Sequence, residues 1–274
     1  MKIFIIGSLN MDLVITAPVM PKKGETVTGG GFITNSGGKG ANQAVAAAKL
    51  GANAYMVGCV GQNFGNELTQ TLCGYGVNID FVERRENLSS GIAVIIIEDA
   101  DNRIILDKGA NRQVEQTLID KALSTAQAGD YVVLQMEIPV QSVAYALQKA
   151  KEKKLVTVFN PAPAAPLLDG MIRNCDYFIV NQSEAEFYTG RYPADENGAM
   201  ECAKRLRQMG ASKALVTMGE KGSICVDENG CYRVLAQTVQ AVDTTAAGDT
   251  YVGAFVTCLS EGKTVEQAMR FASK

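Results

Sequence analysis

YVVLQMEIPVQSVAYALQKAKEKKLVTVFN, Tyr131 to Asn160, decides the fold class. It opens with a short apolar run, YVVLQ, continues as an amphipathic stretch at about 139–153, and closes with a second apolar run, LVTVFN. A strand, a helix and another strand in that order form the unit of a parallel sheet covered by helices on both faces. The same alternation extends outward. Helical stretches at about 114–127, 182–189 and 196–209 are separated by the strand candidates YFIV and KALVTM. Toward the N-terminus, Lys2 to Gly7 and AYMVGCV (Ala54 to Val60) read as strands. Asn35 to Gly51 holds a glycine-rich entry and an alanine-rich helix, and Asn63 to Tyr75 is helix-like. Near the other end, SICVDE and CYRVLAQ form a β-rich pair. Val252, Phe255, Val256 and Leu259 then recur at helical spacing, and Thr264 with Gln267 has the spacing of a capping box.

Two β-rich excursions interrupt this order. One covers about 12–34, with Pro18, Pro21 and a triple glycine; the other covers about 91–109, with a polar turn at Asp99, Asp101 and Asn102. The expectation is one α/β domain over 1–274, with the two excursions forming a small lid.

Composition removes several kinds of function. The chain has 274 residues, with 26 Lys+Arg against 29 Asp+Glu, a formal net charge of −3, and no basic block. That balance disfavours a nucleic-acid or anionic-membrane surface. At 47% hydrophobic and 20% charged residues, the chain can bury a core and is not a disordered segment. Its apolar runs, such as Gly91 to Ile97, are strand length rather than bilayer length, and the first residues lack the pattern of a signal peptide. A cytosolic protein is expected. The absence of His excludes His-based triads, His-ligated zinc and His general bases. Acid–base work falls to Asp, Glu, Lys, Tyr or Cys. The seven Cys contain no C-x-x-C pair and are expected to be buried small hydrophobes.

The strongest chemical signal is VDTTAAGDT, Val242 to Thr250, directly before a helix. Ala246, Ala247 and Gly248 carry little or no side chain, so their backbone N–H groups can approach an anion at a helix N-terminus. Asp249 follows, placed to take a proton from an attacking hydroxyl. The alternative is that Asp243 or Asp249 only caps the helix.

SGGKGANQ, Ser36 to Gln43, is glycine-rich but fits neither the P-loop nor the dinucleotide fingerprint. It is either a backbone loop that contacts a polyol, with Asn42 projecting its amide, or a tight turn into a closely packed helix. Asn10 and Asp12 follow the first strand, and Glu137 follows YVVLQ. They hold hydroxyl groups at the strands' carboxyl ends or belong to polar turns. Asn181 and Glu184, after YFIV, reach a hydrated Mg²⁺ and phosphates or form a capping box. Thr217 to Gly222 is a hairpin or lines a nucleotide. Most of these signals lie at strand carboxyl ends, so they should converge on one rim.

Taken together, GSLNMDLV, KKGETV, GGKGANQAVAAAKLG, GAN (Gly109 to Asn111), LQMEIP, NPAPA, NQSE and DTTAAGDTYVGAF resemble the ribokinase (PfkB-type) sugar kinases. The resemblance implies a three-layer α/β/α fold with a mainly parallel central sheet and a β-strand lid that often pairs two subunits. It implies ATP-dependent phosphorylation of the 5-hydroxyl of D-ribose. The alternatives are another sugar or a nucleoside as acceptor, or a non-catalytic sugar- or nucleotide-binding regulator.

By the same resemblance, Asp249 is the catalytic base, and Ala246, Ala247 and Gly248 form the anion hole. Asn10, Asp12, Gly38, Lys39, Asn42 and Glu137 bind the sugar. Asn181 and Glu184 order Mg²⁺ and phosphate, and Thr217, Gly219 and Gly222 flank ATP. Asp243 and Thr245 hold a monovalent cation, K⁺. Gln182 departs from the family, which often has an acid there. The chain also ends in the helix after Thr264, where the family continues into a segment that completes the adenine pocket and the cation site.

Overall fold

The computed structural model describes residues 1–99, 101–237 and 245–274. In chain order the elements of the first half are β1 (Lys2–Ile6), β2 (Asn10–Thr16), β3 (Gly30–Gly37), α1 (Lys39–Lys49), β4 (Asn53–Gly61), α2 (Gly65–Gly74), β5 (Asn78–Arg85), β6 (Gly91–Glu98) and β7 (Asp101–Asp107). There follow α3 (Gln116–Leu123), β8 (Tyr131–Leu134), α4 (Val140–Glu152), β9 (Val156–Phe159), β10 (Tyr177–Val180), α5 (Gln182–Thr189), α6 (Glu196–Gln208), β11 (Lys213–Thr217), β12 (Ser223–Val226), β13 (Cys231–Val234), α7 (Ala247–Ser260) and α8 (Val265–Ala272).

Among the described residues, nine strands form the central sheet in the order β13-β12-β11-β10-β9-β8-β1-β4-β5. From β11 to β5 neighbouring strands are parallel; β12 and β13 are antiparallel additions at one edge. Alternation along each strand divides the core. Phe4, Ile6, Val132, Leu134, Phe178 and Val180 face α3, α4, α5 and α6. Ile3, Ile5, Val133, Ile179 and Leu215 face α1, α2, α7 and α8. A sheet buried on both faces, between two helix layers, is the three-layer α/β/α fold that the pattern implies.

The remaining four strands form a separate sheet in the order β3-β2-β6-β7. Its two hairpin partners are antiparallel, and β2 joins β6 in parallel register, Asn10 opposite Gly91 and Thr16 opposite Ile97. Phe32, Ile33, Ile104 and Ile105 are exposed on it.

The structure departs from the sequence pattern at several points. Asn10 and Asp12 lie within β2 rather than in a turn, and β3 runs on to Gly37 so that α1 begins only at Lys39. β5 escapes the pattern because it is an edge strand: NIDFVERR carries four charged residues and buries only Phe81. Cys59, Cys175, Cys202, Cys225 and Cys258 are buried, but Cys73 and Cys231 are exposed. Cys73 lies beside buried Leu72 in the last turn of α2, a rotation of about 100° away from the core. Cys231 opens the edge strand β13.

Candidate active site

Because β1, β8, β9, β10 and β11 are parallel, their carboxyl ends open on one rim. Onto it they deliver Ser8, Gln135 to Glu137, Asn160, Asn181 and Thr217. Two glycines bring α1 to the same rim. Gly38 has φ of 92°, in the left-handed region that favours glycine. A Cβ on Gly40 would lie 2.6 Å from the backbone nitrogen of Ser8 and 2.8 Å from Cα of Gly7. The close-packed turn is therefore real, and the Ala41 N–H seals it by donating to the Ser8 carbonyl at 3.0 Å.

One side of the rim is a carboxylate–amide cluster. Glu137 Oε2 accepts from the backbone N–H of Lys39 at 3.1 Å, from Asn10 Nδ2 at 3.4 Å and from the Ser8 hydroxyl. Asn111 Nδ2 donates to Asn10 Oδ1 at 2.8 Å, while Asn111 Oδ1 accepts from the Leu9 N–H at 2.9 Å. Burial, reinforced by the negative charge of Glu137, pushes the Asp12 carboxyl up to about 6. Lys108, whose Nζ donates to the Met136 carbonyl at 3.3 Å, is held below the ordinary lysine range by burial, with Glu137 opposing. Clustered acceptors and fixed amides of this kind suit a compact molecule bearing several hydroxyl groups.

The other side belongs to α7. Its N-cap is Ala246, at φ of 59°, with no side-chain cap. Asp249 is therefore not a cap. Its buried carboxylate accepts from Asn42 Nδ2 at 3.1 Å and from Gln43 Nε2 at 3.0 Å. The backbone N–H groups of Ala247 and Gly248 belong to the first turn, which has no intrahelical acceptor for them. A Cβ on Gly248 would meet nothing within 4 Å, so the space above it is open. A cleft of about 200 Å³ lies there, lined by Ala246 to Asp249 together with Lys39, Asn160, Asn181, Glu184 and Thr217.

Asn181 and Glu184 form the capping box of α5: Asn181 Oδ1 accepts from the Glu184 N–H at 2.8 Å, and Glu184 Oε2 accepts from the Asn181 N–H at 2.9 Å. The helix-end reading of this pair is thus met, yet the cap leaves Glu184 Oε1 unused. Burial raises the Glu184 carboxyl; the Asn181 N–H and Lys39 pull the other way, and Asp249 adds to the rise. Thr217 ends β11 and reaches the cleft, whereas Gly219 and Gly222 lie in the tight β11–β12 turn and do not line it. Thr245 precedes the cap of α7, and Asp243 lies outside the described residues.

Sequence reading passed over Ser8, Gln43, Asn111, Gln135 and Asn160, all buried polar residues at the rim. A signal was present for two of them. Gln43 interrupts an alanine-rich helix face and Gln135 follows YVVL directly, and an amide embedded in apolar sequence needs a partner.

The whole chain, residues 1–274, matches the family model described as pfkB family carbohydrate kinase. It is 40% identical to a ribokinase of Schizosaccharomyces pombe, the alignment covering 100% of this chain and 90% of that protein. It is 37% identical to a deoxyribokinase of Salmonella typhi over 99% of this chain and 90% of the relative. The structure of an Arabidopsis thaliana ribokinase complexed with ribose and ATP superimposes with a TM-score of 0.90 at 28% identity, covering 99% of this chain and 89% of the other. The chain belongs to the pfkB family of carbohydrate kinases.

Proposed function

We propose that this chain is a cytosolic ribokinase, transferring the γ-phosphoryl group of ATP to the 5-hydroxyl of D-ribose to give ribose 5-phosphate. The observation that carries the reading is Asp249. Its buried carboxylate sits beside the open N–H groups of Ala247 and Gly248, on a rim shared with Asn10, Asp12 and Glu137. A relative named ribokinase at 40% identity, and a ribokinase solved with ribose and ATP at 28% identity, support it.

In this reading Asn10, Asp12, Glu137, Asn42 and the Gly38–Lys39 backbone hold the sugar hydroxyls, and the 5-hydroxyl points at Asp249. The hydroxyl proton passes to the Asp249 carboxylate as the O–P bond forms. The bond from phosphorus to the β,γ-bridging oxygen breaks, and ADP leaves. The N-terminal turn of α7, from Ala246 to Gly248, faces the charge on the transferring group. Alignment, charge stabilisation and one base suffice for phosphoryl transfer, and none of them needs His. Closure of the four-stranded sheet over the sugar would keep water from the phosphoryl group.

Glu184 and Asn181 fit a Mg²⁺ carried in with ATP, since the capping box leaves Glu184 Oε1 free toward the cleft. Bound there, the ion would neutralise phosphate charge. Mg²⁺ of this kind keeps several waters and is held by one or two carboxylates together with substrate phosphates. Thr217 lies where the nucleotide phosphates would pass, with Gly219 and Gly222 shaping the turn behind it. Asp243 and Thr245 are assigned to K⁺, which would brace the turn before Ala246. The exposed Phe32, Ile33, Ile104 and Ile105 make the four-stranded sheet the face through which two copies would dimerise.

ADP release from MgATP with K⁺ present, measured over ribose, 2-deoxyribose, hexoses and nucleosides, tests the assignment. Selectivity for ribose supports it, preference for another acceptor moves the substrate, and inactivity with all of them favours a regulator.

A further inference from the structure

Gln43 is fully buried and makes three side-chain hydrogen bonds. Its Nε2 donates to Asp249 Oδ1 at 3.0 Å and to Asn160 Oδ1 at 3.3 Å, and its Oε1 accepts from Gln135 Nε2 at 2.7 Å. Asn160 Nδ2 in turn donates to the Ile179 carbonyl at 2.9 Å. Two of the three ends of this network are groups that only accept, the carboxylate of Asp249 and the Ile179 carbonyl. They fix the orientation of Gln43 and Asn160, and the Gln43 oxygen in turn fixes that of Gln135 at the third end. Turning Gln43 over would set its oxygen against the carboxylate. Turning Gln135 over would set its oxygen against that of Gln43. The cost appears at the far end, where Gln135 Oε1 is buried without a hydrogen-bond partner, held over Gly7. A buried carbonyl is seldom left so, and here its orientation follows from the need to present an N–H to Asp249.

We propose that Gln43 is a positioning residue for phosphoryl transfer, locking Asp249 Oδ1 so that Oδ2 is the oxygen offered to the acceptor hydroxyl. The inference rests on the reading of Asp249 as the base. Gln43 bonds to the Asp249 carboxylate and to neither Asp12 nor Glu137, so removing its N–H should affect the chemical step and spare sugar binding. Lys39 and Glu184 are the other charged groups lining the cleft with Asp249, and neither bonds to Gln43.

Gln43→Met keeps the length of the side chain and removes its donor and acceptor. The expected kcat is lower by roughly 10- to 100-fold, the value of one hydrogen bond to a charged group, with KM for ribose within about threefold. In an Asp249→Asn background, Gln43→Met should change the residual rate by less than about twofold, because the group it positions is gone. Wild-type kcat in Gln43→Met, with Asp249→Asn inactive, overturns the positioning role and leaves the base assignment standing. Normal turnover by Asp249→Asn overturns that assignment first, and the inference with it. Should Gln43→Met fail to fold, Gln135→Met removes the orienting donor from the far side. It should lower kcat with KM unchanged, and unaltered kcat there overturns the proposal.

Discussion

Asn42 Nδ2 donates to Asp249 Oδ2 at 3.1 Å, joining the first turn of α1 to the first turn of α7. In the proposed reaction the acceptor hydroxyl must share that oxygen with Asn42. Asp249→Asn keeps the shape of the side chain and removes the proton acceptor. Ribose affinity by calorimetry should stay within a few-fold, while kcat falls by roughly 10²–10⁴, the usual contribution of a general base. A kcat within tenfold of wild type rules the base role out.

Asp12 should be worth more to binding than to stability. Its folded-state value of about 6 lies above the ordinary 3.8, so folding favours the protonated form. The sign is therefore the reverse of an ion-paired aspartate: its favourable contribution is complete below about pH 4 and is lost as pH rises through about 6. Asp12→Asn should stabilise the protein at pH 7.5 by about 1–2 kcal/mol after allowance for solvent screening, and by little at pH 4. KM for ribose should rise in the same variant. Melting curves at the two pH values check the first expectation, and an Asp12→Asn protein less stable at pH 7.5 contradicts it.

Glu184 has two separable duties. Glu184→Gln retains an oxygen for the Asn181 N–H, and Gln is an accepted capping-box partner. Its melting temperature should not fall, since burial disfavours the charged carboxyl that Gln replaces, while the Mg²⁺ concentration needed for half-maximal rate increases. Asn181→Ala removes the cap itself and should cost about 1 kcal/mol as well. An unaltered Mg²⁺ requirement in Glu184→Gln would restrict the residue to its helix end.

Gly253 lies where α7 packs tightly on α1. A Cβ there would lie 2.6 Å from Cβ of Ala46 and 2.7 Å from the Gln43 carbonyl. Gly253→Ala should push the helices apart, costing about 1–3 kcal/mol by overpacking and shifting Asp249 relative to Gln43. A melting temperature equal to wild type, with normal kcat, contradicts this.

Monovalent cations should matter through the turn before α7 rather than through the sugar cluster. Replacing K⁺ by tetramethylammonium at constant ionic strength should lower kcat several-fold, with KM for ribose nearly unchanged. Equal rates in the two salts remove the cation from Thr245 and Asp243.

Local periodicity carried the architecture. YVVLQ, LVTVFN, YFIV and KALVTM appear as β8 to β11, and the amphipathic stretches between them as α4 to α6, because burial on both faces of a sheet imposes an apolar run that neighbouring residues alone reveal. Thr264 with Gln267, and Asn181 with Glu184, close as capping boxes for the same reason: each needs only four consecutive residues. β5 was hidden because an edge strand with four charges has no such run.

What the sequence by itself determined, then, were the elements whose stabilisation is local, and the glycine- and alanine-rich turns at their ends. Tertiary structure decided which turns meet. Asp249 could be a helix cap or a rim carboxylate until α1, 206 residues away in sequence, supplied Gln43 as its partner. The pairing of β2 with β6 and the chain from Asp249 through Gln43 to Gln135 and Asn160 have the same origin. A buried polar group must be satisfied, but strand order and helix crossing select the partner, and those depend on packing across the whole sheet.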